Sequence, residues 1–185
     1  RRGNEINQHV RKEKITSLEI AENGHDPDAN IALAEGLALG SYDFSKYQSK
    51  EEGKSSGLRE IFFTDERMPE ERINELLITI DAVFRVRDLV NEPVSFLNAE
   101  KLAEVFEMMG EEAGFETEIF DIERIAALKM GGLLAVNRGS IDPPTFSVLE
   151  YKPENAKNER PIVLVGKGIT YDTGGLSLKP TKDSM

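Results

Sequence analysis

The sequence predicts an α/β fold: mixed sheets flanked by helices, in two incomplete α/β domains joined by a long helix. Three observations predict it. Short stretches with the two-residue period of a half-buried strand alternate with stretches whose apolar residues return every three or four positions. One helical stretch runs from Pro69 to about Val90, roughly 30 Å at ~1.5 Å per residue, long enough to join two domains. Finally, 39% hydrophobic content over 185 residues supplies a core for one large domain or parts of two. The expected division is residues 1–68 as the C-terminal part of an N-terminal domain, 69–90 as the linking helix and 91–185 as the N-terminal part of a second, truncated domain.

Taken in order, Ile6 and Val10 give residues 3–13 a weak helical face, and Ile15 to Ile20 alternates as a strand does. Asn23-Gly24 is a turn signal. Asp26 before Pro27 starts a helix that carries Ile31, Leu33, Ala34, Leu37, Ala38 and Leu39 up to Gly40. Ser45 to Gly57 is polar and rich in serine and glycine, a solvated loop, and Leu58 to Phe63 is the next strand. In the long helix Ile73, Leu76, Leu77, Ile80, Val83 and Phe84 recur at helical spacing. Pro93 ends it, because its ring pushes Glu92 out of the helical region. Asn98 caps a further helix with Leu102, Val105, Phe106 and Met109 on its buried face and Gly114 at its stop. Beyond it the pattern predicts strands at Phe115–Phe120, Leu133–Val136, Phe146–Tyr151 and Ile162–Val165, with a short helix from Ile122 to Lys129 ending at Gly131-Gly132.

With 34 acidic against 23 basic side chains the formal charge is −11, which disfavours a nonspecific phosphate-binding surface and a nucleic-acid partner. The absence of cysteine excludes disulfides, thiolate metal sites and cysteine nucleophiles, fits a cytoplasmic protein, and leaves only oxygen and nitrogen to hold a metal. No run approaches the ~20 apolar residues of a membrane span, so no membrane partner is expected. The chain starts without methionine on a helix already under way and stops at Met185, so both ends read as cut.

The chemistry-bearing segment is Pro161-Ile-Val-Leu-Val-Gly-Lys-Gly-Ile-Thr-Tyr-Asp-Thr-Gly-Gly-Leu-Ser-Leu-Lys-Pro180. A buried strand that ends in small residues delivers charged groups to the carboxyl edge of a sheet. Lys167 stands between two glycines, Asp172 precedes Thr-Gly-Gly, and Lys179 is held extended by Pro180. Taken singly, each is explained as well by an exposed turn residue. A phosphate loop is disfavoured by order, since Gly166-Lys167-Gly168 comes first and no helix pattern follows; a dinucleotide fingerprint fails for the same reason. A divalent-metal site is chemically open, with a lysine binding as the neutral amine and an aspartate bridging two cations.

This segment, from Val165 to Pro180, resembles the metal-binding stretch of the leucine aminopeptidases, also called cytosol aminopeptidases. Arg87-Asp-Leu-Val-Asn-Glu-Pro93 resembles the start of that family's catalytic domain, and Met130-Gly-Gly-Leu-Leu-Ala-Val-Asn-Arg-Gly-Ser140 with Pro143-Pro144 its next strand and loop. The resemblance implies a metallo-exopeptidase that releases N-terminal residues, leucine-type, from peptides with a free N-terminus through a water activated by two divalent metal ions. Manganese or zinc is implied, with magnesium or cobalt as alternatives. It implies Lys167 as ligand to one metal, Asp172 as bridge between both, and Lys179 as the charged catalytic group that polarises the scissile carbonyl or its oxyanion. It also implies a homo-hexamer for the full protein. The family's later aspartate ligand and its Asp-x-Glu-x-Arg segment have no counterpart before Met185, so this chain alone is expected to be inactive. A nucleotide- or nucleic-acid-binding α/β module without catalysis is the alternative for residues 1–86, against which the acidic balance counts.

Overall fold

The computed structural model describes residues 2–21, 27–49, 57–65 and 67–170. The chain divides into two compact units, Arg1–Asn91 and Glu92–Met185.

In the first unit α1 (Arg2–Lys12) leads to β1 (Ser17–Ile20), α2 (Pro27–Ser41), β2 (Glu60–Phe63) and α3 (Glu70–Asn91). β1 and β2 pair in parallel, Ser17 opposite Glu60 through Ile20 opposite Phe63. Two parallel strands need a long crossover, and α2 lies within it. Pro27 opens α2, where its missing N–H costs no hydrogen bond. The core is Val10, Ile20, Ala34, Leu37, Leu58 and Leu76, with Ile15, Leu18, Ile31, Leu33, Ile61, Phe63 and Ile80 packed around it. α1 approaches α2 closely enough that a Cβ on Gly3 would lie 2.6 Å from the carbonyl carbon of Gly36. The buried Asn7 amide crosses this contact, donating to the carbonyls of Leu37 (2.7 Å) and Gly36 (3.3 Å). The sequence-expected turn at Asn23-Gly24 and residues 50–56 of the expected loop lie outside the described residues.

In the second unit α4 (Ala99–Ala113) begins as its sequence predicts: the Asn98 side chain accepts from the Lys101 N–H at 3.0 Å. It ends at Gly114, whose φ of 75° is the left-handed conformation that favours glycine. β3 (Glu116–Phe120), α5 (Ile122–Ala127), α6 (Gly131–Asn137) and β4 (Phe146–Glu150) follow. β3 and β4 pair antiparallel, Glu116 opposite Glu150 through Phe120 opposite Phe146. α4 packs against both strands. Asp121 caps α5 by accepting from the Arg124 N–H at 2.9 Å, and the guanidinium of Arg124 stacks 3.7 Å from the centre of the Phe120 ring. The fold is thus α/β as expected, with the parallel and antiparallel pairings in separate two-stranded sheets.

Two expected strands are not strands. Leu133–Val136 lies in α6, which opens at the very glycines expected to stop a helix: Leu133 and Leu134 N–H both donate to the Met130 carbonyl at 3.1 Å. A four-residue apolar run fits either state, and with no strand laddered beside it among the described residues, the local helical bonds prevail. Ile162–Val165 forms neither helix nor strand and is 74–93% exposed. A strand of this kind is stabilised by neighbours on both sides, and none of the described strands pairs with it.

Candidate active site

Of the three residues singled out for chemistry, only Lys167 is described; Asp172 and Lys179 lie outside the described residues. Lys167 is exposed, on the stretch that continues the apolar run Ile162–Val165. A Cβ on Gly166 would meet nothing within 4 Å, whereas one on Gly168 would touch Leu102 of α4 at 3.6 Å. Among the described residues, then, nothing crowds the backbone before the lysine, and Leu102 of α4 lies beside the backbone after it. Among the described residues no group of three or more histidines or carboxylates could hold a metal ion. The nitrogen and oxygen donors of Lys167 and Asp172 suit a divalent cation held without sulfur, as a chain without cysteine requires.

The loop after α6 is tied down by short polar contacts. Asn98 Nδ2 donates to an Asp142 carboxylate oxygen (3.2 Å), Asn137 Nδ2 to the Asp142 carbonyl (2.9 Å), and Thr145 Oγ1 to the Ala99 carbonyl (3.1 Å). Asn98 thus caps α4 with one side-chain atom and holds the loop with another, so the Ser140–Thr145 turn is fixed to the start of α4. The other quoted motif, Arg87 to Pro93, supplies the last turn of α3, and the Pro93 carbonyl accepts from Phe96 (2.8 Å) and Leu97 (3.0 Å) in a tight turn.

Two clusters escaped the sequence reading. Asp65, after β2, has a buried carboxylate that accepts from Arg67 Nε (2.9 Å), Nη2 (2.8 Å) and backbone N–H (3.0 Å). The Arg67 guanidinium holds this carboxyl below the usual aspartate range, outweighing the opposing effect of burial. The spacing Asp-x-Arg was the only signal, and it is common in turns. The second cluster surrounds Tyr42, whose hydroxyl donates to Asp88 (2.7 Å) and accepts from Asn91 Nδ2 (3.0 Å). No local pattern reports it, because Tyr42 lies 46 and 49 residues from these partners.

Comparison with known proteins locates this arrangement. Residues 84–185 match the model of the cytosol aminopeptidase family, catalytic domain. A probable cytosol aminopeptidase of Chlorobaculum parvum is 43% identical over 160 residues, 81% of this chain and 32% of the relative. That of Aquifex aeolicus is 38% identical over 176 residues, 94% of this chain and 35% of the relative. Among solved structures, a tomato leucine aminopeptidase mutant superposes with a TM-score of 0.79 at 26% identity, covering 93% of this chain and 35% of that one. The bottromycin maturation enzyme BotP in complex with Mn does so with a TM-score of 0.72 at 31% identity, covering 90% and 35%. The chain spans about a third of the length of the curated relatives it matches. With its catalytic-domain model matched over more than half of the sequence, and the resemblance carried by Arg87 to Pro180 thereby shown, the chain belongs to the cytosol aminopeptidase family.

Proposed function

We propose that the protein to which this chain belongs is a metal-dependent aminopeptidase that releases N-terminal residues, leucine-type, from peptides with a free N-terminus. The observation that carries the proposal is the catalytic-domain match over residues 84–185, which includes the glycine-flanked Lys167. The neighbour solved with manganese supports a divalent cation in this setting. On this reading residues 1–68 close an N-terminal domain, 69–90 link, and 91–185 open the catalytic domain; the full protein is a cytoplasmic homo-hexamer.

Two divalent ions, when bound, lower the pKa of a water and polarise the peptide carbonyl, which gives a nucleophile at neutral pH. Lys167, as its neutral amine, and Asp172, as a carboxylate shared between the cations, would hold them. Lys179 keeps its proton and stabilises negative charge on the carbonyl oxygen.

The test uses the full-length protein, with leucine anilide and N-acetyl-leucine anilide as substrates and bound metal measured in parallel. Chelation should abolish hydrolysis of the free-amine substrate, and manganese or zinc should restore it, while the blocked substrate stays inert. Lys167→Met should lower both metal content and turnover, the latter by at least about 100-fold. Equal turnover of the blocked substrate would reject an aminopeptidase, and undiminished metal content in Lys167→Met would remove that residue from the ligand set.

A further inference from the structure

The C-terminal end of α2 has no basic residue in its last turn, although the free carbonyls of a helix end attract hydrogen-bond donors and positive charge. The donors come from the neighbouring helices. From α1, Asn7 reaches the Gly36 and Leu37 carbonyls, and Arg11 Nη2 reaches those of Gly40 (3.2 Å) and Tyr42 (3.1 Å). From α3, Arg87 Nη1 reaches the Leu39 carbonyl at 2.6 Å. Ser41 Oγ donates to the Ala38 carbonyl at 2.7 Å. The carbonyls from Gly36 to Gly40 are thus each engaged by a side chain, with two arginines in trans supplying the missing charge.

Tyr42 joins this end to α3 a second time. Its ring packs on Phe84 (centroids 5.2 Å apart) and under the Arg87 guanidinium (5.3 Å), and its hydroxyl bridges Asp88 and Asn91. Phe84, Arg87, Asp88 and Asn91 recur at helical spacing and so share one face of the last two turns of α3. That face is apolar earlier, at Leu76 and Ile80, where α3 contributes to the core. Desolvation and the hydrogen bond to Asp88 raise the proton affinity of the Tyr42 phenol, keeping it in its donating form. Near its start α3 is held to α2 by Arg72 and Asp28 at 3.0 Å, but that pair is exposed. The hydroxyl bonds of Tyr42 are exposed as well, and exposed pairs contribute little, so what distinguishes the far end is the part-buried Arg87–Leu39 bond and the packing of the Tyr42 ring on Phe84.

We propose that the end of α2 is a three-helix joint in which Arg11, Tyr42, Arg87, Asp88 and Asn91 are positioning residues that fix the last two turns of α3, with which the catalytic-domain match begins. Residues 84–91 fall inside the catalytic-domain match yet are fastened to the first unit. The joint therefore lies within the first unit although its α3 residues belong to the catalytic-domain match. It rests on these contacts alone and stands whether or not the protein cleaves peptides.

Hydrogen exchange on the full-length protein tests it. Tyr42→Phe keeps the ring and removes both hydroxyl bonds, so exchange at the amides of residues 88–91 should rise about tenfold while residues 76–80 stay unchanged. Arg87→Met should add faster exchange at the end of α2, and Arg87→Lys, which keeps the charge, should restore part of the protection. Unchanged exchange at 88–91 in Tyr42→Phe, or an equal rise along the whole of α3, overturns the joint. If Arg87→Met fails to fold, Tyr42→Phe decides alone.

Discussion

The two units spend their apolar residues differently. In the first, residues from both strands, all three helices and the entry to β2 meet in one cluster, with Val10, Ala34 and Leu37 at 1–2% exposure. In the second, Ala103, Phe120 and Ile125 are buried, while Phe96, Ile141, Tyr151 and the run Ile162–Val165 stand at 62% exposure or more; among the described residues of the first unit, large apolar residues this exposed are Ile78 and Val90, both on α3. The difference follows from the connections. A parallel pair with a helix in its crossover brings its own cover, so β1–α2–β2 closes between α1 and α3. An antiparallel pair covered by α4 satisfies neither its outer edges nor an apolar segment that lacks a ladder. Local sequence therefore suffices where an element's cover folds with it, and falls short where an apolar run has no ladder among the described residues.

Truncating Leu37 should produce the largest effect. Leu37→Ala leaves a cavity in a full core and should cost about 3 kcal/mol, whereas Leu164→Ala, at a residue 92% exposed, should stay within about 0.5 kcal/mol. Urea denaturation of the two variants checks the contrast. A cost at Leu164 equal to that at Leu37 would mean that the run is buried in solution and the contrast between the units is false.

Next come the glycines. Gly3→Ala drives a methyl against the Gly36 backbone at 2.6–2.8 Å and the Leu37 nitrogen at 2.9 Å and should destabilise by about 1–3 kcal/mol, since neither backbone can yield cheaply. Gly132→Ala, inside α6 with nothing within 4 Å, should gain about 0.5–1 kcal/mol from helix propensity. Thermal unfolding of both variants should give shifts of opposite sign. A loss at Gly132 would show that the surface of α6 is covered in solution.

How far the fold could be read in advance follows the same division. Asn98 and Gly114 bound α4 as their chemistry dictates, because a cap needs only its own helix end. Leu133–Val136 and Ile162–Val165 misled, because a short apolar run reports burial and its strand state depends on a neighbour elsewhere in the chain. In the candidate site the candidacy of Lys167 rests on a motif alone, since a lysine between two glycines carries no local pattern of its own. Tyr42 and Arg87 were illegible as partners, since the bond between their helices spans a loop and a strand that carry no signal of it.

The smallest effect concerns Asp65 and acid. Its carboxyl is held below the ordinary value by the Arg67 side chain, so folding favours the ionised form. The stabilisation is present above the unfolded-state pKa of about 3.9 and is lost as pH falls through the lower folded value. Asp65→Asn removes the proton uptake and should flatten the decline of stability below about pH 4. The amide oxygen can still accept a hydrogen bond, so this substitution isolates the charge better than one to alanine would. Denaturation midpoints of both proteins between about pH 2.5 and about pH 6, a range that brackets the carboxylate value, decide the matter. Parallel curves would show that Arg67 leaves the carboxyl where an unfolded chain has it, and that the end of β2 is held by its backbone bonds alone. Converging curves at low pH would place an acid-sensitive element of the first unit at this one pair, at the exit of β2 and separate in the chain from the joint at the end of α2.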